Sequence, residues 1–413
     1  MTTIEATGPL SPRGAAADSR TLVLSGWSAV TPYGVGRDAL RDGLLSGRSA
    51  VTESGPAAES GPTAGSGSTA GSGSVAESPS QPGTKPQGGE SGESGESGER
   101  VWSAVVPGFK ASDHLGRKGT RGMGRATSFA VTAIDVLLRE LGPEVTEDPE
   151  RIGLVLGVGH GSVQAAMDFT RGALTASRPY LVDALRFPDT FLNRAAGQSA
   201  IWHGLKGPNT TVAGGRLSAL LAIGYAVRLN RSGHCRRLLV GATEEYSQAR
   251  ALLARAASGP GETPAPLGEG SVVALMEPAS DATAAGRVPV ATVLATHFRA
   301  APDAATGGDE LAACVRAVLA KAGATAGHIR LVAPLGEYAE QEEAGIRAVT
   351  GDSEPHWLHC RPLLGDAFAA SAGLQLSAAL AGGQYWPERE DLALITGIDR
   401  DGTVGCLLLG RPA

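Results

Sequence analysis

No apolar run in this 413-residue chain approaches the ~20 residues needed to cross a bilayer. The stretch from Met1 to Arg20 has no apolar secretory core. A soluble cytoplasmic protein is expected, with no membrane partner. Basic surplus is missing as well: 36 Lys and Arg stand against 42 Asp and Glu, a formal net charge of -6. That balance leaves no cationic footprint for nucleic acid. Cysteine is sparse. The four residues Cys235, Cys314, Cys360 and Cys406 are widely scattered, which points to reduced thiols rather than a disulfide framework. The length exceeds that of a typical single domain, so two domains or two fused half-domains are expected.

One segment stands apart by composition. Residues 52–99 are rich in Gly, Ser, Pro, Glu and Ala, have Val75 as their one large apolar side chain, and end in Glu-Ser-Gly repeats from Glu90 to Glu99. Such a segment cannot bury enough surface to offset its ordering entropy, so it reads as a disordered acidic insertion. Strand-like patterns flank it at Thr21–Trp27 and Val101–Val106, as if one fold were interrupted. An inert loop and a docking tail for a partner are both compatible with this composition.

Elsewhere short apolar runs alternate with longer helical ones. Strands are expected at Arg151–Gly157, Arg237–Gly241, Ser271–Met276, Val288–Leu294, Ile329–Ala333, Leu392–Thr396 and Gly405–Leu409. Helices are expected at about Thr120–Leu141, Ser218–Leu229, Asp309–Ala322, Glu340–Val349 and Ala367–Leu380. This alternation implies an α/β fold in two similar halves.

The run Gly207–Leu220 reads as a strand, a tight glycine turn and the first turn of a helix. An elbow of this kind lifts one side chain to the positive end of a helix, where a nucleophile or oxyanion is stabilised. The residue at its tip is Arg216, which cannot be deprotonated and cannot attack anything. Other candidates are weaker. Cys360 with His359 and His356 is the one compact Cys/His cluster, yet it lacks a further ligand at zinc spacing and does not sit on an elbow. His160 lies in the glycine turn Gly157-x-Gly159-x-Gly161, as a ligand contact or as a loop histidine satisfied by backbone. That turn lacks the Lys-Ser/Thr of a phosphate loop and the third glycine of a dinucleotide turn. Neither a cofactor nor a metal is expected.

Several stretches, in order and spacing, carry a resemblance. They are Leu24–Gly26 through Val30–Gly36, Leu45–Ser49, Gly157–Ser162, Phe187–Asn193 with Ala195–Gln198, Gly204–Thr210, Val240–Glu244 and Leu267–Ser271. The chain resembles the β-ketoacyl synthase family of the thiolase fold over nearly its whole length. The resemblance implies a duplicated five-layer αβαβα architecture. It divides the chain into a flexible N-terminus (1–20), an N-terminal ketosynthase-like half (21–278) carrying the insertion, and a C-terminal half (288–413).

In that family an elbow cysteine takes the acyl chain from an acyl carrier protein as a thioester, and two histidines help decarboxylate the extender unit. Carried over by position, the cysteine falls on Arg216 and the first histidine on Pro334. The Lys-Ser-x-x-Gly-His motif falls on Arg361 to Asp366, with Arg361 for its lysine and Asp366 for its histidine. All three reactive positions are therefore changed. An arginine at a helix start opposes the helix dipole by a few tenths to about 1 kcal/mol. Because the elbow and second-histidine positions converge in the family, an Arg216–Asp366 ion pair plugging the pocket is expected. The alternative is that Arg216 reaches out to solvent or a partner.

The chain is most similar to the chain length factor of type II polyketide synthases, a silent subunit that pairs with an active ketosynthase and shapes the polyketide tunnel. The commonest pattern there has glutamine at the elbow, so the resemblance lends no support to malonyl decarboxylation by this chain. It implies that Thr210, Thr211 and Val212 pair with the partner across the dimer interface, and that side chains from about Met167 to Leu192, Phe191 among them, line or gate the tunnel. Three readings stay open: a non-catalytic partner of a ketosynthase served by an acyl carrier protein, an enzyme with residual condensing or acyl-transfer activity, and a homodimeric scaffold.

Overall fold

The structure is a computed structural model that describes residues 21–54, 101–184, 186–259, 262–303 and 305–412. The expected flexible N-terminus 1–20 lies outside the described residues, as does the insertion from 55 to 100.

Among the described residues eleven strands build the central sheet: a two-residue strand at Gly34–Val35 that pairs only with the first, and ten that run across it in order. The first five are β1 (Leu22–Thr31), β2 (Ile152–Val158), β3 (Asn209–Val212), β4 (Arg237–Glu244) and β5 (Gly270–Pro278). The second five are β6 (Ala291–Ala300), β7 (Ile329–Pro334), β8 (His356–Trp357), β9 (Leu392–Ile398) and β10 (Thr403–Gly410). Their order across the sheet is β8-β7-β9-β10-β6-β1-β5-β4-β2-β3. Read outward from the centre, the two arms run 1-5-4-2-3 and 6-10-9-7-8, each strand of one arm matched by the strand five places on. The strand directions repeat too. β2 is parallel to β3 and β4, and β7 to β8 and β9; β5 and β10 run antiparallel to both of their neighbours. The arms join where β1 meets β6, antiparallel, at Val23↔Thr292 and Leu24↔Ala291.

The helices fill three layers. α1 (Arg125–Leu141), α2 (Val163–Thr175) and α3 (Arg194–His203) belong to the first arm, with α1 and α3 packed on its outer face. α4 (Ser218–Arg231) lies between the arms. α5 (Gly307–Ala322) and α6 (Ala339–Thr350) cover the outer face of the second arm, and α7 (Ser371–Ala381) packs beside α4 in the middle. The five layers αβαβα follow.

Period-two alternation explains why the strands are apolar throughout. Along β5, Val272, Ala274 and Met276 face the middle layer, and Val273 and Leu275 face the outer helices. Along β10, Leu407 and Leu409 face the middle, and Val404, Cys406 and Leu408 face α5. A strand covered by helices on both faces has no polar side.

Most expected elements are present, with shifted ends. The first expected helix begins at Arg125 rather than Thr120, after a turn containing Gly122 and Gly124. The strand expected at Val288–Leu294 runs from Ala291 to Ala300 because Val288 is solvent-exposed. The helix expected from Ala367 begins at Ser371, preceded by a 3-10 turn at Phe368–Ala370. Thr52–Ser54, expected to open the disordered insertion, instead forms a strand antiparallel to Val101–Ser103. The insertion therefore leaves and re-enters the fold at one place.

Packing across the sheet leaves no room at Gly241. A Cβ there would run into the Val272 carbonyl and come within 2.9 Å of Val273 Cα, both backbone atoms that cannot rotate away. Gly241→Ala is predicted to lower stability by about 3 kcal/mol or more. Gly197→Ala, in open space on α3, is predicted to gain up to about 1 kcal/mol from helix propensity. Urea melts of both variants test the pair; equal effects would contradict the packing argument.

Candidate functional site

The elbow is present at the mouth of the middle layer. β3 ends at Val212, Gly215 turns the chain at φ +54, and α4 starts at Ser218. Gly215 is required twice, for its left-handed backbone and because a Cβ would collide with the Asp399 carboxylate. The Ser218 hydroxyl donates to the Gly215 carbonyl (2.7 Å) and accepts from the Gly214 N–H (3.0 Å), which fixes the turn.

Arg216 points inward, its side chain 12% exposed. Its Nε and Nη2 donate to Asp366 Oδ2 at 3.0 and 2.6 Å, and Nε also reaches Oδ1 at 3.2 Å. The structure thus brings the two residues together as an ion pair. It adds partners that the sequence did not reveal. Arg216 Nη1 donates to Asp399 Oδ1 (2.8 Å), its backbone N–H donates to Asp399 Oδ2 (2.5 Å), and Glu337 lies 3.6 Å away. Arg361 and Arg400 both pair with Glu337, and Arg361 reaches Asp366 at 3.4 Å. Three guanidinium groups meet three carboxylates, so the cluster is neutral in sum.

Asp366 is held as firmly by its backbone as by its carboxylate. Its N–H donates to the Pro266 carbonyl, and its carbonyl accepts from Gly268 N–H and from the buried Arg250 (2.6 Å). Burial alone would raise the Asp366 carboxyl; the Arg216 guanidinium, followed by Arg361 and Arg250, overrides that and holds it well below the usual carboxylate range. Burial likewise opposes the charge on Arg216, and Asp366, Asp399 and Glu337 outweigh it. The space left beside Arg216, Cys360, Arg361 and Asp366 is about 10 Å³, no more than one water fills.

The other expected positions are dispersed. Pro334 ends β7 in register with Thr396 and does not line this space; Leu335 lines it, and Glu337 enters the cluster. Phe191 is half-exposed with its ring edge-on to Phe187 at 5.0 Å. Thr210, Thr211 and Val212 lie on β3, the outermost strand of its arm, whose second edge has no strand partner among the described residues. Met167, Leu174, Tyr180, Leu181, Phe187 and Leu192 are all substantially exposed.

His160 is not simply a loop histidine satisfied by backbone. Its ring stacks on Phe368 at 4.1 Å, while Phe368 carries φ +44 and lies 5.2 Å from the Arg216 guanidinium. Burial, with Arg250 and Arg216 behind it, lowers the His160 pKa to about 4, so the ring is neutral at physiological pH. His356 and His359 stack on Tyr385 and Trp357, and Cys360 is buried with its thiol pushed up to about 12 by burial. Among the described residues no group of three or more His, Cys, Asp or Glu is arranged to hold a metal ion.

Two buried glutamates brace the site from behind. Glu244 Oε2 accepts from the Gly159 and His160 N–H groups, while its other oxygen meets no donor among the described residues. Glu342 accepts from Gly336 (2.9 Å) and Ile398 (2.8 Å). Burial raises the first to about 7 and the second to about 8, against an ordinary 4.5, and the N–H donors offset this only in part.

The family model described as "Beta-ketoacyl synthase, N-terminal domain" matches residues 89–282. The 3-oxoacyl-[acyl-carrier-protein] synthase 2 of Vibrio harveyi is 27% identical over 147 residues, 35% of either chain, so the chain spans about a third of the length of this curated relative. Among solved structures, the ishigamide ketosynthase/chain length factor is 35% identical, over 95% of this chain and 100% of that one, at a TM-score of 0.77. A type II polyketide synthase acyl carrier protein in complex with its ketosynthase bound to the hexaketide shares the fold, at 17% identity over 95% of this chain and 100% of that one, with a TM-score of 0.70.

Two predictions follow from the site. Removing Asp366 or Arg216 alone leaves a buried charge in surplus and is predicted to cost about 3–5 kcal/mol. The double variant Arg216→Leu, Asp366→Leu keeps the remaining charges balanced and should cost less than the two single changes added together, as read from a double-mutant cycle of urea melts. Simple additivity would mean that the pair is not coupled. The second concerns pH. Glu244 and Glu342 bind their protons more tightly folded than unfolded. Their contribution is full below about pH 4.5 and is lost as pH rises to about 7 and 8. Asp366 acts in the opposite sense, stabilising above its unfolded pKa near 3.8 and failing as pH falls below it. Glu244→Gln is predicted to flatten the decline in urea midpoint between pH 4.5 and 7; an unchanged slope would show that Glu244 is ionised in the fold.

Proposed function

The chain belongs to the β-ketoacyl synthase family, and on that premise we propose that it is a catalytically silent ketosynthase-like subunit of the chain length factor type. It pairs with an active ketosynthase and shapes the tunnel into which a polyketide grows. One observation carries this reading: the elbow position that would bear a thioester holds the Arg216 guanidinium, locked between Asp366 and Asp399. A guanidinium held permanently charged has no lone pair to attack a thioester. Its carboxylate partners crowd the elbow, leaving about 10 Å³ beside it.

No thiol of this chain replaces it. Cys235, Cys314, Cys360 and Cys406 are all buried, and burial pushes their pKa values up, to about 11 and 12 for the first two and about 12 for Cys360. Thiols so far from ionised are poor nucleophiles. Likeness to the ishigamide ketosynthase/chain length factor over 95% of the chain supports the subunit role.

The partner surface is proposed at the open edge of β3. Thr210, Thr211 and Val212 would add main-chain hydrogen bonds to a strand of the ketosynthase, and exposed Phe187, Phe191 and Leu192 lie in the segment just before α3 and β3. A strand edge without a partner among the described residues and exposed apolar side chains are features that a stable heterodimer would cover. The acyl carrier protein then presents the chain to the partner's cysteine.

Co-expression with an intact ketosynthase tests the reading. The two chains should co-purify in equal amounts, and this chain alone should neither elongate a carrier-bound acyl group nor be labelled by a cerulenin-type electrophile under native conditions. Covalent labelling of one native cysteine, or turnover without a partner, would identify an enzyme instead.

A further inference from the structure

The segment before α1 and the first turn of that helix form a cleft of about 530 Å³. Phe109, Arg117, Arg121, Met123, Arg125 and Ser128 are among its lining residues, and it shares none with the space beside Arg216. Small-molecule sites fall in this range, roughly 300–1,000 Å³. Arg125 is fixed by Glu269, which has no exposure. Glu269 accepts from Arg125 Nε (2.7 Å) and Nη2 (2.5 Å), and from the Val106 and Tyr246 N–H groups (2.7 and 3.0 Å). Arg125 Nη2 also donates to the Val106 carbonyl at 3.1 Å. These contacts use the Nε donor and both donors on Nη2. The pair on Nη1 meets no acceptor among the described residues. Arg117 and Arg121 are exposed, as is Lys118 between them, and none of the three has an ion-pair partner among the described residues. The run from Arg117 to Arg121 carries no carboxylate, in a chain of net charge -6.

We propose that this cleft binds a small phosphate monoester with a flat apolar body. The charge comes first. Glu269 already balances Arg125, which leaves Arg117 and Arg121 as the unneutralised guanidinium groups of the lining. A carboxylate would answer only one of them. A phosphate monoester carries about -1.5 to -2 charges near neutral pH and three strong acceptor oxygens, which matches both. Guanidinium groups offer paired donors that suit such oxygens, and Arg125 presents its spare pair from a side chain that Glu269 has already oriented. The Ser128 hydroxyl has one long contact, 3.5 Å to the Met123 carbonyl, and stays available to a ligand oxygen. The apolar body follows from the other lining residues. The Phe109 ring is set in place by its edge contact with Phe129 (4.8 Å between centroids) and its stack on His114 (5.4 Å). Met123 adds a thioether that adapts its shape to a neighbouring ring.

A macromolecular surface could meet exposed arginines alone. An oriented guanidinium beside aromatic carbon, inside a concave space, is the arrangement of a small-molecule site. Binding through Arg117 and Arg121 weakens as salt screens the pairs, whereas the contact with Phe109 does not. This inference rests on the cleft alone and does not depend on whether the Arg216 site is silent.

The test is calorimetric titration of the full-length chain at low salt with three probes: phenyl phosphate, phenyl sulfate and inorganic phosphate. Phenyl phosphate should bind about ten-fold more tightly than phenyl sulfate, which has the same shape and a single charge, and about ten-fold more tightly than inorganic phosphate, which lacks the ring. The R117Q/R121Q variant changes two exposed side chains and should keep its urea midpoint while losing about ten-fold or more in phenyl phosphate affinity. Equal affinity of the wild type and R117Q/R121Q for phenyl phosphate would overturn the proposal. Equal binding of phenyl phosphate and inorganic phosphate would overturn the apolar half of it. No binding of phenyl phosphate up to about 10 mM would also overturn it, and an acidic protein that then bound the wild type but not R117Q/R121Q would assign these arginines to a protein partner.

Discussion

A single buried cation governs the centre of this molecule. Arg216 comes from the first arm, and every carboxylate that neutralises it comes from the second: Glu337 after β7, Asp366 before α7, and Asp399 after β9. Stripping a guanidinium of water costs several kcal/mol, and only close, well-directed acceptors return that energy. The second arm must therefore present all three carboxylates together whenever the first arm presents the arginine. A pair of this kind is weak evidence for net stability. It is stronger evidence for register, because sliding one arm against the other would strand charge in a dry interior.

The arginine also sits where a helix disfavours it. The N-terminus of α4 carries the positive end of the dipole, and a guanidinium there is repelled. Asp399 resolves the conflict from the opposite arm by accepting the Arg216 backbone N–H at 2.5 Å while binding the guanidinium at 2.8 Å. One carboxylate thus caps the elbow and neutralises its side chain. Gly215 is the cost of that approach, since no side chain fits between its Cα and the Asp399 oxygens.

How far the sequence anticipates this depends on where the information lies. The sheet is legible because buried strands are apolar on both faces, and runs such as Ser271–Met276 and Leu392–Thr396 carry that signature locally. Their ends are less so. Val288 extends an apolar run without entering the sheet: it lies in the connection between β5 and β6 and is exposed to solvent. Thr52–Ser54 is polar and becomes a strand only because Val101–Ser103 lies beside it. The Arg216–Asp366 contact could be anticipated from two motif positions. Asp399 and Glu337 could not, because they sit in a hairpin and a loop whose three-dimensional course no periodicity encodes. The Asp399-Arg400-Asp401 charge alternation after an apolar strand was the available hint. Pro334, placed by the resemblance alone, ends β7 just off the space beside Arg216, and the residues that follow it, Leu335 and Glu337, supply the contacts.

The two middle helices add a last constraint. α4 and α7 begin at the same place, and an N–H from the first turn of α7, that of Ala372, approaches the Arg216 carbonyl at 3.4 Å. Two positive helix ends converging on one buried point create a field that favours negative charge. In a condensing enzyme such a field would stabilise an anion formed during reaction. Here the Asp366 and Asp399 carboxylates already occupy it, and the guanidinium balances them. Arg216 at the elbow and Asp366 opposite it thus compensate one another. Either alone leaves the field or the charge uncompensated, while together they keep the scaffold's electrostatics satisfied with no substrate present.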